Sequence, residues 1–156
     1  MRLSKRSEYG VRAMILLARR YGENEALSIK NIAIEENIPL KFLEQILLTL
    51  KNTGFLRSRK GVGGGYSMAQ NPDKISLGSI IRVLDGPLAP LKCVSQMAYE
   101  PCDCKDENTC GLRLVMLDVR SAIVEILDRT TLADVANRVN SQNQIAQVEY
   151  LASLIH

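Results

Sequence analysis

Four cysteines, Cys93, Cys102, Cys104 and Cys110, fall within 18 residues of a 156-residue chain. Thiolates are the usual protein ligands of zinc and of iron–sulfur clusters, and they are also the usual redox-active side chains. Four of them can satisfy a tetrahedral zinc ion, hold an iron–sulfur cluster, or act as reactive thiols, Cys102 and Cys104 forming a C-x-C pair. No signal peptide and no apolar run long enough to span a bilayer is present, so the expected compartment is the cytoplasm, with no membrane partner. There, clustered thiols bind metal or sense redox state more often than they form structural disulfides. Other catalytic chemistry is poorly supplied. The one histidine, His156, is the last residue, which leaves no Ser–His or Cys–His pairing. The run Gly61-Val62-Gly63-Gly64-Gly65 lacks a Gly-Lys-Ser/Thr ending, and Tyr66 opens a strand where a phosphate site needs a helix. The chain is not expected to be an enzyme.

The cysteines lie in a stretch from Pro87 to Gly111 with three prolines and no periodic apolar pattern. At about 25 residues it is long for a structureless loop in a compact domain, which marks it as functional or disordered. Before it, the apolar spacing describes short helices. Ser7 is expected to cap a first helix running to about Tyr21, with Glu8 in its first turn, where an acid favours the helix dipole. Ser28 caps a second helix through Glu36. Asn37 tolerates a left-handed turn, and Pro39 suits the first position of a third helix that Gly54 ends. In that third helix Leu40, Leu43, Ile46/Leu47 and Leu50 form the expected buried face. Lys41, Phe42, Glu44, Gln45 and Thr49 lie opposite. Two short helices joined this tightly read as a helix-turn-helix. The polar face of the second can touch base edges in a DNA major groove, and a solvated helix face has the same composition.

Phe55 to Lys60 and Tyr66 to Ala69 read as two strands around the glycine turn, with Arg57, Arg59 and Lys60 at its entrance. A hairpin there is either a wing that grips phosphate or minor groove, or an ordinary glycine-rich turn. Charge favours the wing: Met1 to Lys74 carry 13 Lys/Arg against 7 Asp/Glu, whereas Ile75 to His156 carry 7 against 10. Ser76 then caps a helix with Leu77, Ile80, Ile81 and Leu84 on one face.

After the cysteine stretch, Leu112, Val115, Val119, Ala122 and Ile126 form one stripe of a long helix ending near Asp128. Leu114, Leu117, Val124 and Leu127 widen it to a second side. A helix apolar on two sides buries both, most simply one in its own domain and one in a second copy, giving a C2 homodimer, although a central core helix also fits. Thr131-Leu132-Ala133-Asp134 is a capping box for one more helix. Ser141 to Gln144 read as a polar linker before a small docking helix that includes Ile145, Val148, Leu151, Leu154 and Ile155. The expected architecture is mainly α with a small β-hairpin wing. It comprises a winged helix-turn-helix domain over 1–86, a sensor loop over 87–111, a dimerisation helix region over 112–140 and a tail over 141–156.

The start Met1-Arg2-Leu3-Ser4, the run Leu43-Glu44-Gln45, the wing Lys60 to Tyr66 and a cysteine loop before a long helix together resemble the Rrf2-type winged helix-turn-helix transcriptional regulators, the IscR/NsrR/CymR-like family. The resemblance covers Met1 to about Asn140. It implies a homodimer on a two-fold site in double-stranded DNA, with Lys41, Phe42, Glu44, Gln45, Arg57, Arg59 and Lys60 as the DNA-binding residues. It also implies an iron–sulfur cluster, 2Fe–2S or 4Fe–4S, on Cys93, Cys104 and Cys110, because Cys104 and Cys110 keep a C-x5-C spacing. Glu8 matches the first-helix position that supplies a carboxylate ligand in some members, and Cys102 is the alternative ligand. Where IscR-like members carry a histidine ligand, this chain has Arg113. Zinc on the four cysteines and cluster-free thiol sensing remain as alternatives, as does an architectural or protein-interaction winged-helix module without sequence reading.

Overall fold

The computed structural model describes residues 2–23 and 25–153, with side chains through Tyr150. Eight regular elements follow in order: α1 (Lys5–Arg19), α2 (Ile29–Glu35), α3 (Leu40–Asn52), β1 (Leu56–Arg59), β2 (Gly65–Met68), α4 (Leu77–Asp85), α5 (Gly111–Arg129) and α6 (Leu132–Ser153). The core gathers Met14 from α1, Ile32 from α2, Leu43, Ile46, Leu47 and Leu50 from α3, Ile80 from α4 and Leu132 from α6, all essentially without solvent contact. The expected class, helical with one small hairpin, is the one observed.

Ser4, not Ser7, caps α1: its hydroxyl accepts the Ser7 N–H at 3.1 Å. Ser7 sits one turn further on and is buried. Asp85, at the end of α4, accepts the Ser4 N–H at 3.0 Å and its hydroxyl as well, so the start of the chain is tied to the far end of the domain. Gly10 allows α1 and α4 to approach closely, since a Cβ there would lie 2.3 Å from Leu84 Cδ1.

Between α2 and α3 the chain turns at Asn37, whose φ of 48° is the left-handed value that Asn tolerates better than most residues. Pro39, expected at the first helical position of α3, is instead its N-cap, and the helix opens one residue later at Leu40. Leu40 is 38% exposed instead of buried. It lies in the first turn, where the Cα–Cβ bond tilts toward the helix start and away from the core.

β1 and β2 pair antiparallel in the register Leu56–Met68, Arg57–Ser67, Ser58–Tyr66 and Arg59–Gly65. A further bridge joins Leu27 to Tyr66, each N–H donating to the other's carbonyl at 2.9 Å. It pins the hairpin to the segment leading into α2. Gly65 is required at this crossing, because its φ is 155° and a Cβ would lie 2.2 Å from the Leu27 carbonyl oxygen.

The segment between α4 and α5 holds one short 3-10 turn, Lys92–Val94. Leu88, Cys93, Val94 and Ser95 are nevertheless buried, so its first half is packed against the fold. α5 lies against α4 and that turn. Arg82 grips Asp128 with two hydrogen bonds, at 2.7 and 2.9 Å. Leu77 N–H donates to Thr130 at 2.9 Å and Leu132 N–H to Ile75 at 2.8 Å, closing a backbone clasp between the two halves of the chain.

Among the described residues no α5 side chain is fully buried. Met116, Leu117, Ile123, Val124 and Leu127 are half-buried, while Leu112, Val115, Val119, Ala122 and Ile126 are exposed along one stripe. Leu114, expected on the second side with Leu117, Val124 and Leu127, is also exposed.

The capping box forms as expected. Thr131 N–H donates to Asp134 Oδ2 at 2.8 Å, and Asp134 N–H donates to Thr131 Oγ1 at 3.1 Å. Thr131→Ala removes one of these bonds, which should cost about 1 kcal/mol and lower the thermal midpoint by about 3 °C in a circular-dichroism melt. The expected linker at Ser141–Gln144 is absent: α6 runs through it without interruption. Ser, Asn and Gln each cost a helix well under ~1 kcal/mol, and neither Gly nor Pro is present to break it. Leu154, Ile155 and His156 lie outside the described residues.

Candidate nucleic-acid interface and cysteine centre

The exposed surface of α3 carries Lys41, Phe42, Glu44 and Gln45, as expected, and adds Leu48, which is 50% exposed. The side chains of Lys41, Glu44 and Gln45 make no hydrogen bond or ion pair with other described residues. Thr49 belongs elsewhere: its hydroxyl donates to the Gln45 carbonyl at 2.9 Å and accepts from Arg6 at 2.9 Å, which locks α1 to α3. Phe42 meets Tyr9 edge-on at 6.4 Å, and Tyr9 lies between Lys5 and Arg12 at 5.7 and 5.9 Å from its ring centre. Arg12 donates to the Glu36 carboxylate at 3.2 Å and to its carbonyl, bracing the turn between α2 and α3 from behind.

Beside α3 stands the wing. Arg57, Arg59 and Lys60 are exposed, and Arg57 donates to Ser67 on the opposite strand at 3.1 Å. Val62 at the tip is fully exposed, a position that the glycine pattern marks as a turn without indicating any contact role. A helix face of unpaired polar groups beside three projecting cations is suited to a groove and its flanking phosphates.

The second site is the cysteine loop. Cys104 and Cys110 lie with their sulfurs 3.4 Å apart. Asp106 holds the turn between them, accepting from Asn108 N–H at 3.0 Å and the Thr109 hydroxyl at 2.9 Å. Cys102 neighbours both Cys93 and Cys104. Glu107 accepts the Cys102 N–H at 3.0 Å and the Tyr99 hydroxyl at 2.7 Å. Arg113 donates to the Cys93 carbonyl at 3.3 Å and approaches Glu107 to 3.9 Å. The arginine that stands in the histidine position thus fastens the two ends of the loop together.

The thiols differ in acidity. Burial, then the adjacent Cys102, pushes Cys93 up. Hydrogen bonding from Cys102 and then Cys110 pushes Cys104 up to about 12. Cys110 is pulled down by the backbone N–H of Arg113 and by the Cys104 thiol. Cys110 is the residue immediately before α5, where free N–H groups favour a thiolate.

Glu8 stands apart from this group. Its carboxylate pairs with Lys5 at 2.7 Å and Arg12 at 3.9 Å, and the Lys5 ammonium, opposed by partial desolvation, holds its pKa low. Within one chain no contact joins Glu8 to a described cysteine. The thiols are neighbours in the order 93, 102, 104, 110, and among the described residues no three His, Cys, Asp or Glu side chains converge on one metal position. Among the described residues, too, no helix is long and apolar enough to cross a membrane.

A helix-turn-helix followed by a hairpin and a long outward-facing helix defines a winged-helix regulator. The chain belongs to the Rrf2 family, whose model, described as "Iron-dependent Transcriptional regulator", matches residues 3–138. An rrf2-like putative HTH-type transcriptional regulator of Rhodobacter capsulatus is 38% identical over 85% of this chain and 90% of that protein. The HTH-type transcriptional regulator CymR of Bacillus subtilis is 35% identical over 92% and 96%. The solved structure of that CymR, described as the global cysteine regulator, superposes with a TM-score of 0.75 at 36% identity, covering 88% of this chain and 98% of that one. The IscR of T. potens superposes with a TM-score of 0.70 at 33% identity, covering 89% and 88%. The family is one of transcriptional regulators, not of enzymes.

Proposed function

We propose that this regulator binds a two-fold DNA site as a homodimer and that its affinity is set by an iron–sulfur cluster on the cysteine loop. DNA binding as such rests on the family and on the bare α3 face beside a basic wing. Lys41, Phe42, Glu44 and Gln45 meet the major groove, and Arg57, Arg59 and Lys60 meet the backbone or minor groove. The outer stripe of α5 meets its counterpart in the second copy.

One observation carries the regulatory part: Cys110 is the residue from which α5 begins. The sensing loop and the dimerisation helix therefore share a junction, and whatever binds the thiols acts on the start of the helix that orients the two reading heads. The donor set suits a cluster, since thiolates are its usual ligands and Cys93, Cys104 and Cys110 lie in one loop segment without long regular structure. When bound, a cluster supplies an oxidant-sensitive tether. This chain's residues would position it: Arg113 holds the turn that carries Cys93, Asp106 turns Cys104 toward Cys110, and the α5 N-terminus favours the Cys110 thiolate.

The test is purification of the full chain without oxygen, followed by absorption spectroscopy, iron and sulfide analysis, and DNA titration before and after exposure to air. The expected result is visible absorbance with stoichiometric iron and sulfide, and a change in operator affinity when both are lost. Protein that is colourless, iron-free and zinc-loaded overturns the cluster, and equal affinity before and after overturns the control. A thiol switch is the second reading, favoured by the 3.4 Å approach of Cys104 to Cys110. It is distinguished by iron-free protein whose DNA affinity still follows the redox buffer.

A further inference from the structure

We propose that the metal centre of the loop is held by four thiolates of a single chain, with Cys102 as the fourth ligand in place of Glu8. The inference rests on the reading of the loop as a metal centre and concerns which side chains complete it.

The four thiols form two pairs. Cys104 and Cys110 are the first, 3.4 Å apart and held there by the Asp106 turn. In a tetrahedral four-sulfur site with metal–sulfur bonds of about 2.3 Å, neighbouring sulfurs lie about 3.8 Å apart. This pair is therefore already close to the spacing of two ligands on one metal ion. Cys93 and Cys102 are the second pair, placed as neighbours by separate polar ties: Arg113 holds the Cys93 carbonyl, and Glu107 holds the Cys102 N–H. Arg113 and Glu107 face each other at 3.9 Å, so the two ties belong to one network. Cys102 lies near Cys104 as well, which links the pairs. The four thiols follow one another as neighbours in the order Cys93, Cys102, Cys104, Cys110, and between the Lys92–Val94 turn and the start of α5 no helix or strand keeps them apart. Two such pairs would supply the four thiolates that a 2Fe–2S cluster takes.

Glu8 has neither property. It already has two cations, Lys5 and Arg12, and Arg12 also braces the turn in front of α3. Drawing Glu8 onto a metal would break its pairs with Lys5 and Arg12, whereas Cys102 has no competing salt bridge to give up. The polar groups around the loop also reach Cys102 directly: Glu107, itself held by the Tyr99 hydroxyl, accepts the Cys102 N–H.

The experiment compares full-length wild type, Cys102→Ser and Glu8→Gln. Each is purified without oxygen for iron, sulfide and visible spectra, then stripped of metal and titrated with cobalt(II). The sulfur-to-cobalt charge-transfer intensity counts thiolate ligands and is read without reference to DNA binding. The expected result is that Cys102→Ser loses the cluster or shifts its spectrum, while its cobalt band falls by about a quarter, one thiolate in four. Glu8→Gln should match wild type in both assays. A full cobalt band and an intact cluster in Cys102→Ser, with loss in Glu8→Gln, overturns the assignment and leaves the metal centre standing. If both variants lose iron, the cobalt band decides: an undiminished band in Cys102→Ser overturns the proposal, and a diminished one supports it. Wild type that binds neither iron nor cobalt through sulfur overturns the metal centre itself.

Discussion

Val119→Asp should convert the protein from dimer to monomer at micromolar concentration. Val119 lies in the middle of the exposed α5 stripe, flanked by Val115 and Ala122, and makes up part of an apolar strip on a helix with no fully buried side chain. In a two-fold interface the substitution is made twice, and the carboxylates meet near the axis with no cation opposite. At about 3 kcal/mol for each buried unpaired charge, the dimer should weaken roughly 10⁴-fold. Operator affinity should fall with it, because a monomer engages one half-site. Sedimentation velocity reads the first effect and a mobility shift the second. Ile123→Asp is not equivalent, since Ile123 is half-buried on the inner side and would test the fold instead. If Val119→Asp and Val115→Asp both sediment as wild-type dimer, the interface lies elsewhere.

The second large effect concerns the division of labour on DNA. Gln45→Ala should weaken specific DNA by about 1–3 kcal/mol per subunit, the worth of a bidentate contact to adenine, and leave random DNA nearly untouched. Lys60→Ala should weaken both kinds alike. It should also reduce the slope of log affinity against log salt by about 0.9 per lost phosphate contact, hence about two per dimer. Fluorescence anisotropy across a salt series on one specific and one scrambled duplex separates the two. Equal factors on both duplexes for both variants would show that α3 and the wing do not divide the work in this way.

The features legible in the sequence were those fixed by neighbours along the chain. Asn37, the Ser28 and Ser76 caps and the Thr131–Asp134 box each depend on residues within one helical turn, and each forms. The features not legible depend on distant partners. The sequence points to Ser7 as the cap of α1; Ser4 takes that place, gripped by Asp85, 81 residues away. The Leu27–Tyr66 bridge is one residue long, too short for any alternation to reveal. Composition misled at Ser141–Gln144, where polarity looked like a linker although nothing in it opposes a helix. At the cysteine loop, spacing favoured Cys104 and left Cys102 as the alternative. The contacts that orient Cys102 come from Glu107 and, through it, Arg113, and neither follows a spacing rule.

The clasp between the halves of the chain bears on operator architecture. Arg82 with Asp128, and the paired backbone bonds at Leu77 and Leu132, fix α5 to the domain that carries α3. In the proposed dimer, α5 also fixes one copy to the other, so the distance and phase between the two reading helices are set by a single rigid frame. The protein then acts as a ruler. One base pair inserted between the half-sites moves one of them by about 3.4 Å and turns it by roughly 35° about the duplex axis. Such a frame cannot follow both changes at once, which makes the length of the unread centre of the operator as strict a requirement as the sequence of its arms.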